Sequence, residues 1–143
     1  MDYSWLIFAL LSAITAALVA IFGKIGLQGV DANTATTVRA IIMALFLVGV
    51  ILIQGKLSNI PTIFANHKAL VFIILSGIVG ALSWLFYFLA LNYGKVNQVV
   101  PMDRLSIVFA IVLALLFLGE KISLKVGIGA ALVAAGAILI ALG

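Results

Sequence analysis

The chain has no cysteine, one histidine and two prolines, and only 8% of its 143 residues are charged. Without cysteine there is neither a disulfide nor thiolate chemistry, although the compartment is left open. With only His67 available, no metal-ligand spacing can be written, and His67 itself reads as a solvated loop residue. No glycine-rich loop runs into Lys-Ser or Lys-Thr, and no nucleophile stands at a workable spacing from a base. These gaps argue against an enzyme, and against any cofactor or bound metal. The scarcity of charge is the most restrictive gap of all. Soluble domains carry about 25% charged residues. Here 8 Lys and Arg and 4 Asp and Glu cannot supply a water-facing surface, while 66% of the chain is hydrophobic. The solvent for most of this protein is therefore a lipid bilayer, and the length allows one domain.

The formal net charge of +4 comes from basic residues scattered singly among apolar runs. No basic cluster with interleaved aromatics exists, so nucleic acid is not a partner. The charges read instead as topology signals. At the N-terminus no basic side chain precedes the apolar run, and no small-x-small cleavage site follows it. A retained membrane helix is the reading there, not a signal peptide.

Five apolar segments predict five transmembrane helices, at about 5–23, 34–54, 69–91, 97–118 and 124–142. A spanning helix needs about 20 residues to cross a hydrocarbon core of about 30 Å. Bare backbone polar groups are not tolerated in lipid, and the runs lack the period-2 alternation of a membrane barrel, so the segments must be helical. The fold class is thus all-α, integral and multi-pass. Asp31 or Asn33 is the candidate N-cap of the second helix. Gly94 is a natural stop for the third, and the longest connection, Gln54 to Lys68, contains Pro61. Short connections force neighbouring helices antiparallel.

An odd number of spans puts the termini on opposite sides. The side bearing the N-terminus collects Lys56, Lys68, Lys121 and Lys125, and the other side collects Lys24 and Lys95, joined by Arg39 and Arg104 if these snorkel. The positive-inside rule then gives little or no preferred orientation, and such a chain can insert both ways.

Ionisable residues at membrane depth are the main functional clue, because each costs about 2.5–3.5 kcal/mol at the centre of a span. Asp103 and Arg104 stand in the fourth segment and Arg39 in the second. If the fourth helix starts near Asn97, Asp103 and Arg104 lie about 9–11 Å in. If it starts at Pro101 they sit in its first turn, where Asp103 complements the helix dipole and Arg104 snorkels. In the third segment Ser76, Gly80, Ser83 and Tyr87 share one helical face with Trp84 beside it, and in the fourth Ser106 shares a face with Asp103. Such a stripe lines either a tight helix seam or a cavity, and Trp84 and Tyr87 also suit a lipid-facing aromatic belt. Substrate-binding or cavity candidates are therefore Arg39, Ser76, Ser83, Trp84, Tyr87, Asp103, Arg104 and Ser106. Small residues recur at Gly127, Ala131 and Ala135 in the last segment and at Ser12, Ala16 and Ala20 in the first, a spacing that lets helices approach closely, within one bundle or between subunits.

The stretch ALNYGKVNQVVPMDRLSIVFAIVLALLFLGEKISLKVGIGAALVAAGAILIAL resembles the close of an EamA domain, of the drug/metabolite transporter superfamily. The matching features are Ala90-Leu91 then Gly94, Pro101 opening the next helix, Leu118-Gly119-Glu120 ending it, and Gly129 and Gly136 in the last helix. Residues 1–55 resemble the opening of the same domain more loosely. Gly80, Gly94 and Pro101 are read as helix-packing and turn residues, and the resemblance implies that Glu120 anchors its turn through backbone contacts. It also implies one half of an inverted-repeat, ten-helix transporter. Because most family members are similar to two such domains fused, a single domain with weak charge bias implies an antiparallel, dual-topology homodimer with a central cavity. The expected function is secondary transport of a small-molecule substrate across a prokaryotic inner membrane, with Asp103 as the candidate for proton coupling. The alternatives are a membrane subunit that pairs with a different protein, and a small multidrug exporter, whose essential acid in the first helix is missing from residues 5–22.

Overall fold

The computed structural model describes residues 4–143. Among these, the elements are α1 (Ser4–Gly26), α2 (Ala32–Ile53), a 3₁₀ turn (Leu57–Asn59), α3 (Ile60–Ala65), α4 (His67–Tyr93), α5 (Val96–Asp103), α6 (Ser106–Leu113) running into a π-helical turn (Ala114–Leu118), and α7 (Leu124–Leu142). Helices α1, α2, α4, the α5–α6 pair and α7 make five membrane-spanning segments of 23, 22, 27, 23 and 19 residues. The fold is all-α.

The distribution of exposure is inverted relative to a soluble protein. Large apolar side chains such as Phe8, Phe46, Phe72 and Phe117 are exposed, while among the described residues the buried apolar ones are Ala20, Leu27, Ala32, Phe88, Leu91 and Ala137. In lipid nothing drives large side chains inward, and helices pack where residues are small or shapes match.

The chain forms two compact units. In the unit of residues 1–24 and 93–143, α7 packs along both α5 and α6. The face of α7 turned inward is Ala130, Ala134, Ala137 and Ala141, and Gln98 Nε2 donates to the Ala141 carbonyl at 3.5 Å. The packing stripe expected from the sequence, Gly127, Ala131 and Ala135, is exposed, and a Cβ added at Gly127 would meet nothing within 4 Å. Both stripes have the four-residue spacing of small residues, and only the arrangement of neighbouring helices selects between them. The stripe of α1 runs from exposed Ser12 through half-buried Ala16 to buried Ala20. Lys24 Nζ donates to the carbonyl of Gly94 at 2.8 Å, satisfying an acceptor just past the end of α4.

The fourth span starts at Val96, after Lys95, with Pro101 inside it. This excludes the start at Pro101 and puts Asp103 about 10 Å into the span. Proline brings no N–H to the ladder. The helix then tightens: Arg104 N bonds Pro101 O, Leu105 N bonds Met102 O and Ile107 N bonds Arg104 O, at 3.1, 3.0 and 3.0 Å. These three-residue closures divide α5 from α6. At the far end Gly119 adopts φ 65°, and the N–H groups of Gly119 and Glu120 both reach the carbonyl of Ala114. That left-handed conformation suits glycine and stops the helix. Gly94 behaves otherwise: α4 ends just before it, but the left-handed glycines among the described residues are Gly29, Gly55 and Gly119.

The unit of residues 25–92 contains α2, the 3₁₀ turn, α3 and most of α4. Asp31, not Asn33, caps α2: its Oδ2 accepts from the backbone N–H and from the hydroxyl of Thr34, both at 2.8 Å. These bonds, the backbone one first, hold the Asp31 carboxyl below its ordinary value. Pro61 falls in the first turn of α3, where no intrahelical N–H is needed. Asn66 Oδ1 accepts from Ala69 N at 3.1 Å at the start of α4. With 27 residues, α4 exceeds the hydrocarbon thickness.

Candidate functional site

The most developed polar feature lies in the second unit, on α2 and α4. Arg39 is the eighth residue of α2, about 10 Å along it. Its guanidinium does not extend freely: Cζ lies 3.7 Å from the centroid of the Trp84 ring and 5.0 Å from that of Phe88. The first distance is that of a planar group stacked on an aromatic face, a contact worth about 0.5–2 kcal/mol depending on desolvation.

Helix periodicity assembles the aromatic side. Trp84 and Phe88 are an i, i+4 pair, and Tyr87 is the i+3 neighbour of Trp84. Their ring centroids lie 5.6 Å (Trp84–Tyr87), 5.9 Å (Trp84–Phe88) and 5.9 Å (Tyr87–Phe88) apart, with two of the three pairs edge-on. Edge-to-face packing is the favoured arrangement of aromatic quadrupoles and fixes each ring. Phe88 is buried, whereas Trp84 and Tyr87 are half-buried. On α2, Thr36 and Thr37 donate their hydroxyls to the carbonyls of Ala32 and Asn33 at 2.7 and 2.9 Å. Their protons are thereby committed to the helix.

From this polar end a groove of about 610 Å³ runs between α2 and α4. One wall is Thr36, Thr37, Arg39, Ala40, Met43, Ala44 and Leu47, and the other is Gly77, Gly80, Ala81, Trp84 and Leu85. The two helices do not approach closely at the backbone along this line. Added Cβ atoms at Gly77 and Gly80 would meet nothing within 4 Å, so among the described residues Gly80 opens the groove and has no close-packed neighbour. The volume is in the range that holds small organic ligands.

Of the sequence-derived candidates, Arg39 and Trp84 come together, with Tyr87 in the adjoining aromatic cluster. Ser76 and Ser83 are exposed and do not line the groove. The face of α4 turned to the groove is Gly77, Gly80, Ala81, Trp84 and Leu85, one position on from the stripe read through the serines. Phe88, Met43 and Leu47 were missed. The signal for Phe88 was its i+4 spacing from Trp84, whereas Met43 and Leu47 resemble any other apolar residue of a span.

In the first unit Asp103, Arg104 and Ser106 are exposed and sit at the break between α5 and α6. Consecutive residues of a helix do not face each other. No ion pair joins Asp103 to Arg104 among the described residues. A second groove, of about 430 Å³, is lined by Ile107, Ala110, Ile111, Ala114, Glu120, Lys121, Ile122 and Val126. Glu120 thus holds the turn through its N–H and borders a groove as well. No group of three or more His, Cys, Asp or Glu able to hold a metal occurs among the described residues.

The profile of the EamA-like transporter family matches residues 3–142. A protein of Sinorhizobium sp. described as "Uncharacterized transporter in cobO 3'region" is 40% identical over 144 residues, 99% of each chain. "Uncharacterized protein MJ1333.1" of Methanocaldococcus jannaschii is 33% identical over 99 residues, 67% of this chain and 71% of that one. No solved structure matches.

Proposed function

This chain belongs to the EamA-like transporter family, and we propose that it carries its solute as one half of an antiparallel, dual-topology homodimer. Family membership makes the protein an integral, multi-pass secondary transporter of small molecules and not an enzyme. The dimer is the finer part of the reading. Its main support is that the family match covers one set of five spans, and that the Sinorhizobium relative is matched over 99% of its own length by that same set. Carriers built from inverted repeats bind near the midplane where the repeats meet. In this reading a second copy inserted upside down supplies the opposed repeat.

Two features agree with this reading. Lysine and arginine divide four against two between the sides, or four against four with Arg39 and Arg104 counted, so neither orientation is strongly favoured. Gly127, Ala131 and Ala135 lie exposed on α7, a small-residue face on which another helix can settle closely. In this reading residues 1–143 act as a single domain in a prokaryotic cytoplasmic membrane. The groove beside Arg39 faces the shared cavity, and Asp103 is the proton-coupling acid.

Accessibility tags at both termini in intact cells test the arrangement. Each terminus is expected on both sides of the membrane. Confinement of each to one side overturns the antiparallel homodimer. The same weak charge bias suits a heterodimer, and purified protein that crosslinks only as monomers or only as parallel pairs favours that second reading.

A further inference from the structure

We propose that the groove between α2 and α4 is a binding site for organic monoanions with an apolar body, small carboxylic acids above all, and that Arg39 receives the charged group. This deepens the transport reading and rests on it for the term substrate, but the binding claim stands on the site alone.

Arg39 carries five N–H donors in the plane of its guanidinium. The guanidinium Cζ lies over the Trp84 ring at 3.7 Å, and this contact with the ring's π-face uses none of the five donors in a conventional hydrogen bond. Among the described residues Arg39 makes neither an ion pair nor a hydrogen bond. A guanidinium within a membrane span demands compensation for its lost hydration. The aromatic contact supplies part of that demand, and a bidentate oxyanion on the remaining N–H groups supplies the rest. The nearby hydroxyls of Thr36 and Thr37 donate to their own helix, so the charged donor available to an anion at this end is Arg39, with the indole N–H of Trp84 beside it.

The rest of the groove selects the body of the ligand. Moving along α2 from Arg39 to Leu47, its walls change from polar to apolar, with Met43 opposite the open floor at Gly77 and Gly80. The step from Arg39 to Leu47 covers about 12 Å of helix, enough for a phenylalkyl chain. The stacked guanidinium also occupies the Trp84 face that would otherwise attract a cation, and its charge repels one. The site therefore discriminates against the cationic amphiphiles that a bare aromatic cage favours.

The test uses the full chain in nanodiscs with Trp5→Phe as background, so that Trp84 is the one remaining tryptophan and reports on its own site. The probes are 4-phenylbutyrate, its neutral amide and 4-phenylbutylamine, which share one body. Phenylbutyrate is expected to change Trp84 emission saturably, at a concentration at least about tenfold below the amide, with no saturable response to the amine. Arg39→Gln is expected to abolish the preference for the acid, and Arg39→Lys to keep only part of it, because an ammonium lacks the planar fork. Gly80→Leu fills the groove from α4 with Arg39 itself unchanged and is expected to abolish all binding. Its Cβ meets no neighbour, so this variant tests the site even if substitution of Arg39 disturbs the fold. Equal affinity for acid and amide, or an unchanged preference in Arg39→Gln, overturns the proposal. Nanodiscs of phosphatidylcholine alone are compared with discs containing phosphatidylglycerol to separate a soluble acid from a lipid headgroup. A response to phosphatidylglycerol that phenylbutyrate cannot displace assigns the site to lipid and overturns it. Flux in proteoliposomes separates this claim from the transport reading. Acid binding without flux of any solute leaves the site standing and removes the transport role. Flux of amines or neutral solutes without acid binding does the reverse.

Discussion

At the scale of single residues, polar side chains in this protein are held by local chemistry. Lys24 bonds the carbonyl of Gly94, so Lys24→Met is expected to lower stability by about 1 kcal/mol, read as a reduced thermal midpoint in detergent. Trp84→Leu removes the stacking surface under Arg39 and is expected to cost a similar amount, about 1 kcal/mol, and to free the guanidinium. Asp31 carries a pH dependence of definite sign. Its folded value lies below its unfolded value of about 3.9, so its stabilisation is complete above that pH and is lost as pH falls through the lower, folded value. Amide exchange at Thr34 is expected to accelerate in Asp31→Ala at neutral pH, and in the unmodified protein only in strong acid. Asp31→Asn, still a good cap, is expected to keep most of the protection and to lose its acid sensitivity. As the proposed proton acceptor, Asp103 is expected to lose gradient-driven uptake in Asp103→Asn while keeping downhill exchange. Undiminished gradient-driven uptake in that variant rejects the role.

Among the elements, the fourth span is the exception. Four spans are continuous helices, whereas α5 and α6 are separated by a tightened turn just after Pro101, and α6 ends in a π-helical turn stopped by Gly119. Gly119→Ala places a Cβ in a left-handed conformation and is expected to destabilise the protein by about 1–2 kcal/mol, measured by unfolding in mixed micelles. In Pro101→Ala the lost ladder bond is restored, and amide exchange at Leu105 is expected to slow if the helix then runs through. The sequence signalled this irregularity ambiguously. Pro101 suited a first helical position as well as an interior one, and only the course of the chain from Val96 excludes the former.

For the whole molecule the decisive quantity is the exposure of helix faces that lipid does not require to be small. Gly127→Leu is expected to leave the helicity of the chain unchanged, since among the described residues nothing lies within 4 Å of an added Cβ there. Crosslinking between copies in the same variant is expected to fall severalfold if that face meets the second copy. Lysines added to one side bias insertion. Two variants biased in opposite directions are each expected to transport poorly, and together to restore activity. Full activity from either alone removes the requirement for opposed copies.

The sequence by itself determined the solvent, the number of spans and the family. These depend on composition, on run length against a bilayer of constant thickness, and on turn residues such as Gly119 whose conformation is intrinsic. It also marked Arg39 as costly and Trp84 as worth attention. Only the tertiary structure decided that the two meet, that Gly77 and Gly80 open a groove while the serines beside them face outward, and that α7 packs through Ala130 and Ala137, leaving Gly127 exposed. The reason is physical. In lipid almost every face of a helix is apolar, so hydrophobicity no longer distinguishes inside from outside. A rotation of one residue, about 100° around the helix, costs nothing in transfer energy and is settled only by which neighbours fit.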